Sequence, residues 1–161
     1  MRWNPEVTVA AIVEREGRFL MVEERIKGRL VLNQPAGHLE DRETLIEAVI
    51  RETREETAWR FAPEALVGTY LWRNPENERT FLRFTFCGSV DDHAAGQALD
   101  TGIVRAVWLS HEQLLAQPGR LRSPLVLRCL DDYLRGTRLP LESVAALSLE
   151  TALSVDAVVN L

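Results

Sequence analysis

The chain has 161 residues, 46% of them hydrophobic, which suits one domain with a full-sized core. A formal net charge of -5 and a pI of about 5.3 disfavour a general nucleic-acid binder, whose surface is usually basic. No apolar run approaches the ~18 residues of a membrane span, and no signal-peptide pattern is present, so we expect a cytoplasmic protein without a membrane partner.

The first part of the chain predicts strands followed by a helix. Residues 6–16 and 17–25 are β-rich runs, and the Glu16-Gly17 pair between them predicts a hairpin. A short strand follows, and then a loop that contains Pro35 and Gly37. A helix is predicted over about 44–57, with Asp41 as its N-cap.

The second part returns to strands, at residues 65–72, 79–88 and 103–109. In the middle run, Leu82, Phe84 and Phe86 share one face, which we expect to be core, while Arg83 and Thr85 share the other. Two more helices are predicted, capped by Ser110 and by Ser123. This mixture predicts a mixed sheet covered by helices.

Sulfur and tryptophan side chains are interpreted as core residues. Cys87 and Cys129 are far apart and lack a CxxC or Cys/His spacing, so we expect reduced thiols. Trp3, Trp59 and Trp108 are likewise predicted to be buried.

The predicted helix over 44–57 places acidic side chains where its apolar face should continue. Glu52 follows Leu45 by seven residues, and Glu56 follows Val49 by seven, which is nearly two helical turns. Together with Glu55 they crowd one end of an inward-facing stripe, where unpaired burial of like charges is costly.

A hard divalent cation would neutralise these acids. Arg51 can reach Glu55, but one guanidinium does not balance three carboxylates, and a set of oxygen ligands fits Mg²⁺. The spacing alone leaves a second interpretation equally open, which is a solvated acidic helix end.

The residues around these acids resemble the Nudix box. Gly37 is followed after five residues by Glu43, and seven more residues lead to Arg51-Glu52 and then to Glu55-Glu56. Two positions depart from the box. Thr53 replaces a larger hydrophobic residue, and Ala58 replaces the glycine that normally ends the helix, but neither change removes an acidic side chain.

The resemblance extends from residue 7 to about 142 and is strongest to the bacterial NudJ subgroup of phosphatases. It implies an α/β/α sandwich with a mixed β-sheet over 1–139, followed by an extension over 140–161 whose packing it does not predict. It implies a nucleotide or pyrophosphate substrate, namely nucleoside tri- and diphosphates, with the pyrophosphorylated pyrimidine precursor of thiamine as a further candidate. The implied cofactor is Mg²⁺, with Mn²⁺ as the alternative.

The resemblance also implies roles for the residues of the box. Glu52 and Glu56 would be the main metal ligands, Glu55 a ligand or a residue that acts through water, and the carbonyl near Gly37 a further ligand. Glu52, Glu55 and Arg51 would form the catalytic machinery, and Glu43 would pair with Arg51 to hold the loop against the helix. Members of the family often place a base outside the box, which makes Asp100 and Glu112 candidates.

Substrate contacts are predicted outside the box. Arg25, Lys27 and Arg29 could hold terminal phosphates, although a solvated basic turn is an equally good interpretation. Arg83 could point into the site from the sheet. Trp72 or Tyr70 could stack on a base, and His38 could touch phosphate, against the plainer readings of core aromatics and a loop histidine.

Other functions remain open. The resemblance admits a catalytically weak nucleotide-binding module, which the intact glutamates disfavour. It also admits an ADP-ribose or nucleotide-sugar pyrophosphatase, for which Pro75, sixteen residues after Trp59, is a weak indication. A capped RNA end is disfavoured by the acidic balance of the chain. The sequence makes no prediction of the oligomeric state.

Overall fold

The structure is a computed structural model that describes residues 3–147. It contains these strands and helices in chain order: β1 (Glu6–Arg15), β2 (Arg18–Ile26), β3 (Arg29–Asn33), β4 (Ala36–His38), α1 (Leu45–Thr57), β5 (Arg60–Arg73), β6 (Thr80–Asp91), β7 (Ile103–Ser110), α2 (His111–Leu115) and α3 (Leu125–Leu134). Short 3₁₀ turns lie at Pro118–Arg120 and Leu141–Val144. None of the helices within 3–147 is long and apolar enough to cross a membrane.

The seven strands of the described part form one mixed sheet, as predicted. β1 runs parallel to β6 and antiparallel to β4, and β5 pairs antiparallel with β6. β2 pairs antiparallel with β1, β3 and β7. The predicted β1–β2 hairpin is confirmed. Its two turn residues have positive φ, at Glu16 (52°) and Gly17 (72°), which matches the twist of the flanking strands.

Helices cover both faces of the sheet. On one face, Ala48 and Val49 of α1 pack against β1, β5 and β6 in a cluster that includes Val9 and Phe86. On the other face, Val126 and Leu130 of α3 and Leu114 of α2 form a second cluster with the sheet. The molecule is therefore an α/β/α sandwich, which confirms the fold implied by the family resemblance. Cys87 and Cys129 are buried and free.

The tryptophan prediction is wrong at one position. Trp3 is 67% exposed because it precedes β1 and so lies outside the sheet that the helices cover. Trp59 and Trp108 are partly buried against the α1-side cluster. Their rings flank the guanidinium of Arg15 at 4.9 and 5.0 Å, so part of their surface serves a cation–π contact.

The predicted N-cap of α1 is also wrong, because Thr44 caps the helix in place of Asp41. The Thr44 hydroxyl accepts a hydrogen bond from the Glu47 backbone N–H at 3.1 Å, and the Glu47 carboxylate accepts one from the Thr44 N–H at 2.7 Å. This reciprocal capping box satisfies two backbone donors at once, which a single Asp41 side chain could not do. The capping of α2 by Ser110 is confirmed.

The first part of the predicted extension lies against the sheet. Leu139, the last residue before the predicted extension, exchanges two backbone hydrogen bonds with Leu66 of β5, at 2.8 and 2.9 Å. Leu141 and Val144 pack on the α1-side cluster. The rest of the extension, from residue 148 onward, lies outside the described residues.

Candidate active site

The site begins where α1 passes the short strand β4. Ala48 and Val49 seat the helix on the sheet, and Glu52 and Glu56 continue the same face, each 8% exposed. A Cβ at Gly37 would lie 2.0 Å from the Glu52 Cδ, so only glycine lets β4 approach this carboxylate. The backbone N–H of Ala36 donates to Glu56 Oε2 at 2.9 Å. Strand β4 therefore contacts both carboxylates: it packs against Glu52 at Gly37 and donates a hydrogen bond to Glu56 from Ala36.

Arg51 organises the rest of the box. Its guanidinium donates to both Glu43 oxygens at 2.7 and 3.0 Å, and to the His38 carbonyl at 3.0 Å. It also donates to Glu52 Oε1 at 2.8 Å and to Glu55 Oε2 at 3.1 Å. The Arg51 hydrogen bonds hold the pKa of Glu43 below its usual range. One side chain thus ties the loop after β4 to the acidic face of the helix.

Glu52 and Glu56 border a cleft of about 380 Å³. Its walls carry five carboxylates, three arginines and two stacked aromatic rings from several strands, α1 and loops: Glu24, Glu40, Glu52, Glu56, Asp100, Arg79, Arg83, Arg122, Trp72 and Phe81. Trp72 and Phe81 stack on each other with ring centroids 5.8 Å apart. The cleft combines an acidic region, basic groups and an aromatic surface.

The electrostatics of the cleft favour a bound cation. The pKa of Glu56 is raised to about 9, chiefly by burial and also by the charges of Glu52, Glu24 and Asp100, against a lowering by the Ala36 N–H. Burial also raises the pKa of Glu52, which Arg51 partly offsets. Burial raises the pKa of Glu24 as well. Because the clustered groups are all hard oxygen donors, this set fits a divalent cation such as Mg²⁺ or Mn²⁺.

Among the described residues, the carboxylate oxygens are not arranged around one point as a set of metal ligands would be. Within residues 3–147, no group of three His, Cys, Asp or Glu side chains is arranged as a preformed metal cluster. Glu52 and Glu55 are turned to Arg51, and Glu56 is bonded to Ala36. Bringing the oxygens onto a cation would require exchange of some of these hydrogen bonds.

The structure brings several of the predicted site residues to the cleft: Gly37, His38, Glu52, Glu56, Trp72, Arg83 and Asp100. The alternation argument for Arg83 explains its place, since Phe86 on the other face is fully buried under α1. The His38 ring bonds Glu6 Oε2 at 2.7 Å.

Other predicted residues do not line the cleft. Glu55 lies beside it, turned to Arg51, with its side chain 45% exposed. Glu112 is exposed on α2. Arg25, Lys27 and Arg29 lie exposed on the β2–β3 hairpin, where Arg29 donates to the Gly119 carbonyl. The remaining residue, Tyr70, is 8% exposed and donates its hydroxyl to Asp132.

Sequence reasoning missed Glu24, Arg79 and Arg122, which also line the cleft. Glu24 lies on β2 and Arg122 just before α3, so only the tertiary fold brings them near α1. The one local signal for a cleft residue was Arg122, which stands directly before the Ser-Pro pair that precedes α3. A basic side chain near a helix N-terminus is unfavourable unless an anion binds there.

Comparison with known proteins identifies the family, because residues 4–128 match the model of the NUDIX domain. The chain belongs to the Nudix family. The Escherichia coli K12 protein named Phosphatase NudJ is 43% identical over 142 residues, which cover 88% of this chain and 92% of that protein. A NUDIX hydrolase from Nitrosomonas europaea is 46% identical with a TM-score of 0.88, covering 89% of this chain and 98% of that chain.

A more distant structure shares the Nudix fold alone. It is a bifunctional NMN adenylyltransferase/ADP ribose pyrophosphatase from Francisella tularensis, complexed with AMP and a manganese ion. It is 21% identical with a TM-score of 0.65, and the match covers 83% of this chain and 42% of that one. The protein described here is a Nudix hydrolase, and enzymes of this family generally use divalent metals and act on small-molecule nucleotides.

Proposed function

We propose that this Nudix hydrolase uses Mg²⁺ to cleave phosphoanhydride bonds in nucleoside tri- and diphosphates, and also in the pyrophosphorylated pyrimidine precursor of thiamine. The observation that carries the chemistry is the convergence of Glu24, Glu52, Glu56 and Asp100 on one cleft. The substrate class rests on the similarity to the NudJ phosphatases.

The residues that would hold the metal are Glu52, Glu56 and the carbonyl of Gly37, with Glu55 acting directly or through water. Mg²⁺, or Mn²⁺ in its place, would supply charge neutralisation for the phosphates and lower the pKa of the attacking water. Arg51 orients Glu52 and Glu55 through its hydrogen bonds at 2.8 and 3.1 Å. Its role is to position these groups for catalysis.

Asp100 is our candidate for the general base. It lines the cleft, and its charge acts on Glu24, Glu52 and Glu56. Its backbone N–H donates to the Glu55 carbonyl at 2.9 Å, which anchors its loop to α1. From this position the carboxylate would accept the proton of the attacking water. Glu112 is exposed on α2 and does not line the cleft.

The aromatic surface would receive the organic part of the substrate. Trp72 reaches the cleft on the same sheet face as its neighbour Phe81, and the pair forms a flat surface of stacked rings. A nucleobase or pyrimidine ring can stack on such a surface whatever its identity, because every such ring has a flat π-face.

The test is a substrate panel assayed with Mg²⁺, containing nucleoside tri- and diphosphates, the thiamine pyrimidine pyrophosphate and ADP-ribose, with identification of the released product. We expect the first three classes to be hydrolysed faster than ADP-ribose. At saturating Mg²⁺, Glu56→Gln should lower turnover by more than about tenfold, because it removes a charged ligand without changing shape. Its far-UV circular dichroism should be unchanged.

Glu64→Gln is the matched control, since Glu64 is exposed on β5 and away from the cleft. Wild-type turnover in Glu56→Gln would remove this residue from the metal site. Hydrolysis of ADP-ribose in preference to the nucleotides would overturn the substrate assignment.

A further inference from the structure

Three buried polar atoms in the cleft lack hydrogen-bond partners. Within residues 3–147 the buried side-chain atoms without a partner are Thr8 Oγ1, Asn33 Oδ1 and Arg83 Nε. All three residues line the cleft that holds the carboxylates. Buried polar groups in proteins are almost always paired, so three unpaired ones on residues around one cavity indicate side chains that turn onto a bound group.

Arg83 is the central member of this group. It is 6% exposed, its Nη1 donates to Gln34 Oε1 at a long 3.4 Å, and its only other side-chain partner within the described residues is the weakly accepting thiol of Cys129. No carboxylate of the described residues forms an ion pair with it. The charge of Glu56 acts on Arg83 only from beyond ion-pair distance, and burial of a cation without a direct ion pair is costly, so the position favours an anionic ligand.

A second cationic side chain, Arg122, also favours an anionic ligand in the cleft. Arg122 lies just before α3, lines the cleft, and is close enough for its charge to act on the Arg83 guanidinium. Its neighbour Ser123 also lines the cleft and accepts a hydrogen bond from the Leu125 N–H at 3.3 Å. The positive end of the α3 dipole therefore faces the same space as two repelling guanidinium groups.

Sheet register places Thr8 beside Arg83. The two residues are Cα partners in the parallel β1–β6 pair, so their side chains leave the same face of the sheet side by side. The Thr8 hydroxyl can donate to a ligand oxygen. Asn33 carries an amide whose oxygen and nitrogen exchange places when the group rotates, so it can also present a donor.

We propose that Arg83, Arg122 and Thr8, with Asn33, form a phosphate subsite that binds a phosphate group of the substrate without the help of a metal. The Arg83 fork and Arg122 would donate to the phosphate oxygens, and the α3 N-terminus would add its partial charge. The assignment to a substrate phosphate rests on the proposed function, whereas the binding of phosphate does not.

The direct test is calorimetric titration of inorganic phosphate into the metal-free protein, in EDTA and at constant ionic strength. We expect wild type to bind, and Arg83→Gln and Arg122→Gln each to weaken binding by at least about tenfold, through loss of charge-assisted hydrogen bonds. Arg128→Gln is the matched control. It removes the same charge from α3, but Arg128 is exposed, pairs with Asp132 at 3.0 Å and lies outside this cleft.

Arg122→Gln keeps the test decisive if Arg83→Gln fails to fold, because Arg122 is exposed and its replacement leaves the core intact. Absence of phosphate binding by metal-free wild type would overturn the subsite. The subsite would also be overturned if Arg122→Gln and Arg128→Gln weakened phosphate binding equally. Either result would agree with an Arg83 whose buried nitrogen is satisfied by water alone.

Steady-state kinetics separate the subsite from the proposed function. We expect phosphate to inhibit hydrolysis competitively, and Arg122→Gln to raise KM more than it lowers kcat. Non-competitive inhibition would overturn the assignment to a substrate phosphate. If wild type binds phosphate but hydrolyses none of the panel, the proposed function is overturned and the subsite is retained. If wild type hydrolyses the panel but does not bind phosphate without metal, the subsite is overturned and the proposed function is retained.

Discussion

Glu56 shows how one residue couples metal, proton and stability. Its pKa is raised to about 9, chiefly by burial and in part by three neighbouring carboxylates. Without a cation, the neutral acid is therefore the favoured form near pH 7. In the proposed function a divalent cation would displace this proton, so we expect metal binding at this residue to be coupled to proton release.

The first residue-scale prediction concerns the stability of the metal-free protein against pH. The pKa of Glu56 is about 9 in the folded protein, against its ordinary value of 4.5, which we take for the unfolded chain. Between these two pH values the folded state holds a proton that the unfolded state has lost. The contribution of Glu56 to the free energy of unfolding is thus fully present below about pH 4.5 and is lost as pH rises towards 9. Thermal melts in EDTA should show this decline, and Glu56→Gln should make it shallower.

The control for that measurement is Glu64→Gln, which removes an exposed carboxylate and should keep the wild-type slope. Equal slopes in wild type and Glu56→Gln would show that this carboxyl group is not the buried acid responsible.

At the scale of elements, the important contact is between α1 and β4. Both departures from the Nudix box lie on α1 and are accommodated there. The Thr53 hydroxyl donates to the Val49 carbonyl at 2.8 Å, so it is satisfied inside the helix. Ala58 takes the left-handed conformation at the C-cap, with φ of 61°, where glycine would be unstrained. The helix ends in the usual geometry despite the alanine.

The element-scale prediction is that Gly37→Ala disables the site while the fold persists. The new methyl group would lie within 2.3 Å of the three carboxyl atoms of Glu52, so the carboxylate or β4 must move. We expect turnover to fall by more than about tenfold, because displacement of a reacting group by about 1 Å has that order of effect. Activity at saturating Mg²⁺ and far-UV circular dichroism would measure the two outcomes.

Gly119→Ala provides the comparison, because a Cβ at Gly119 meets no atom within 4 Å. It should retain wild-type turnover. If Gly37→Ala also retained it, the close approach of β4 to Glu52 would have no part in catalysis.

At the scale of the molecule, the cleft unites parts that are distant in the chain. Thr8 and Arg83 come from paired strands in the sheet, Glu24 from β2, Glu52 and Glu56 from α1, and Arg122 from the segment before α3. The two helical layers hold these elements in place through separate apolar clusters on the two faces of the sheet. Ligands that bind the cleft therefore link several elements of the fold.

The whole-molecule prediction follows from this linkage. We expect Mg²⁺ to bind the folded cleft and not the dispersed acids of the unfolded chain, and therefore to raise the melting temperature by mass action. Glu56→Gln should reduce the shift, whereas Glu64→Gln should not. A melting temperature indifferent to millimolar Mg²⁺, with or without a nucleotide analogue, would favour the interpretation of a solvated acidic helix end.

The sequence by itself was sufficient for the fold and for the family. The seven-residue spacing that aligns Glu52 with Leu45 and Glu56 with Val49 is a local property of the helix, and so is the alternation that puts Arg83 opposite Phe84. These periodicities and the box spacing depend on neighbours along the chain. They therefore predicted a mixed sheet, its helices and the acidic face of α1.

Only the tertiary structure decided which charged groups meet in the cleft. Arg25, Lys27 and Arg29 precede the box closely in the chain, yet they lie on an exposed hairpin, while Arg122 reaches the cleft from far along the sequence. Trp3 was predicted as core from residue type alone and is exposed, because burial depends on what packs over a residue. Strand order and layer packing set these distances, and neither is encoded in the spacing of residues along one element.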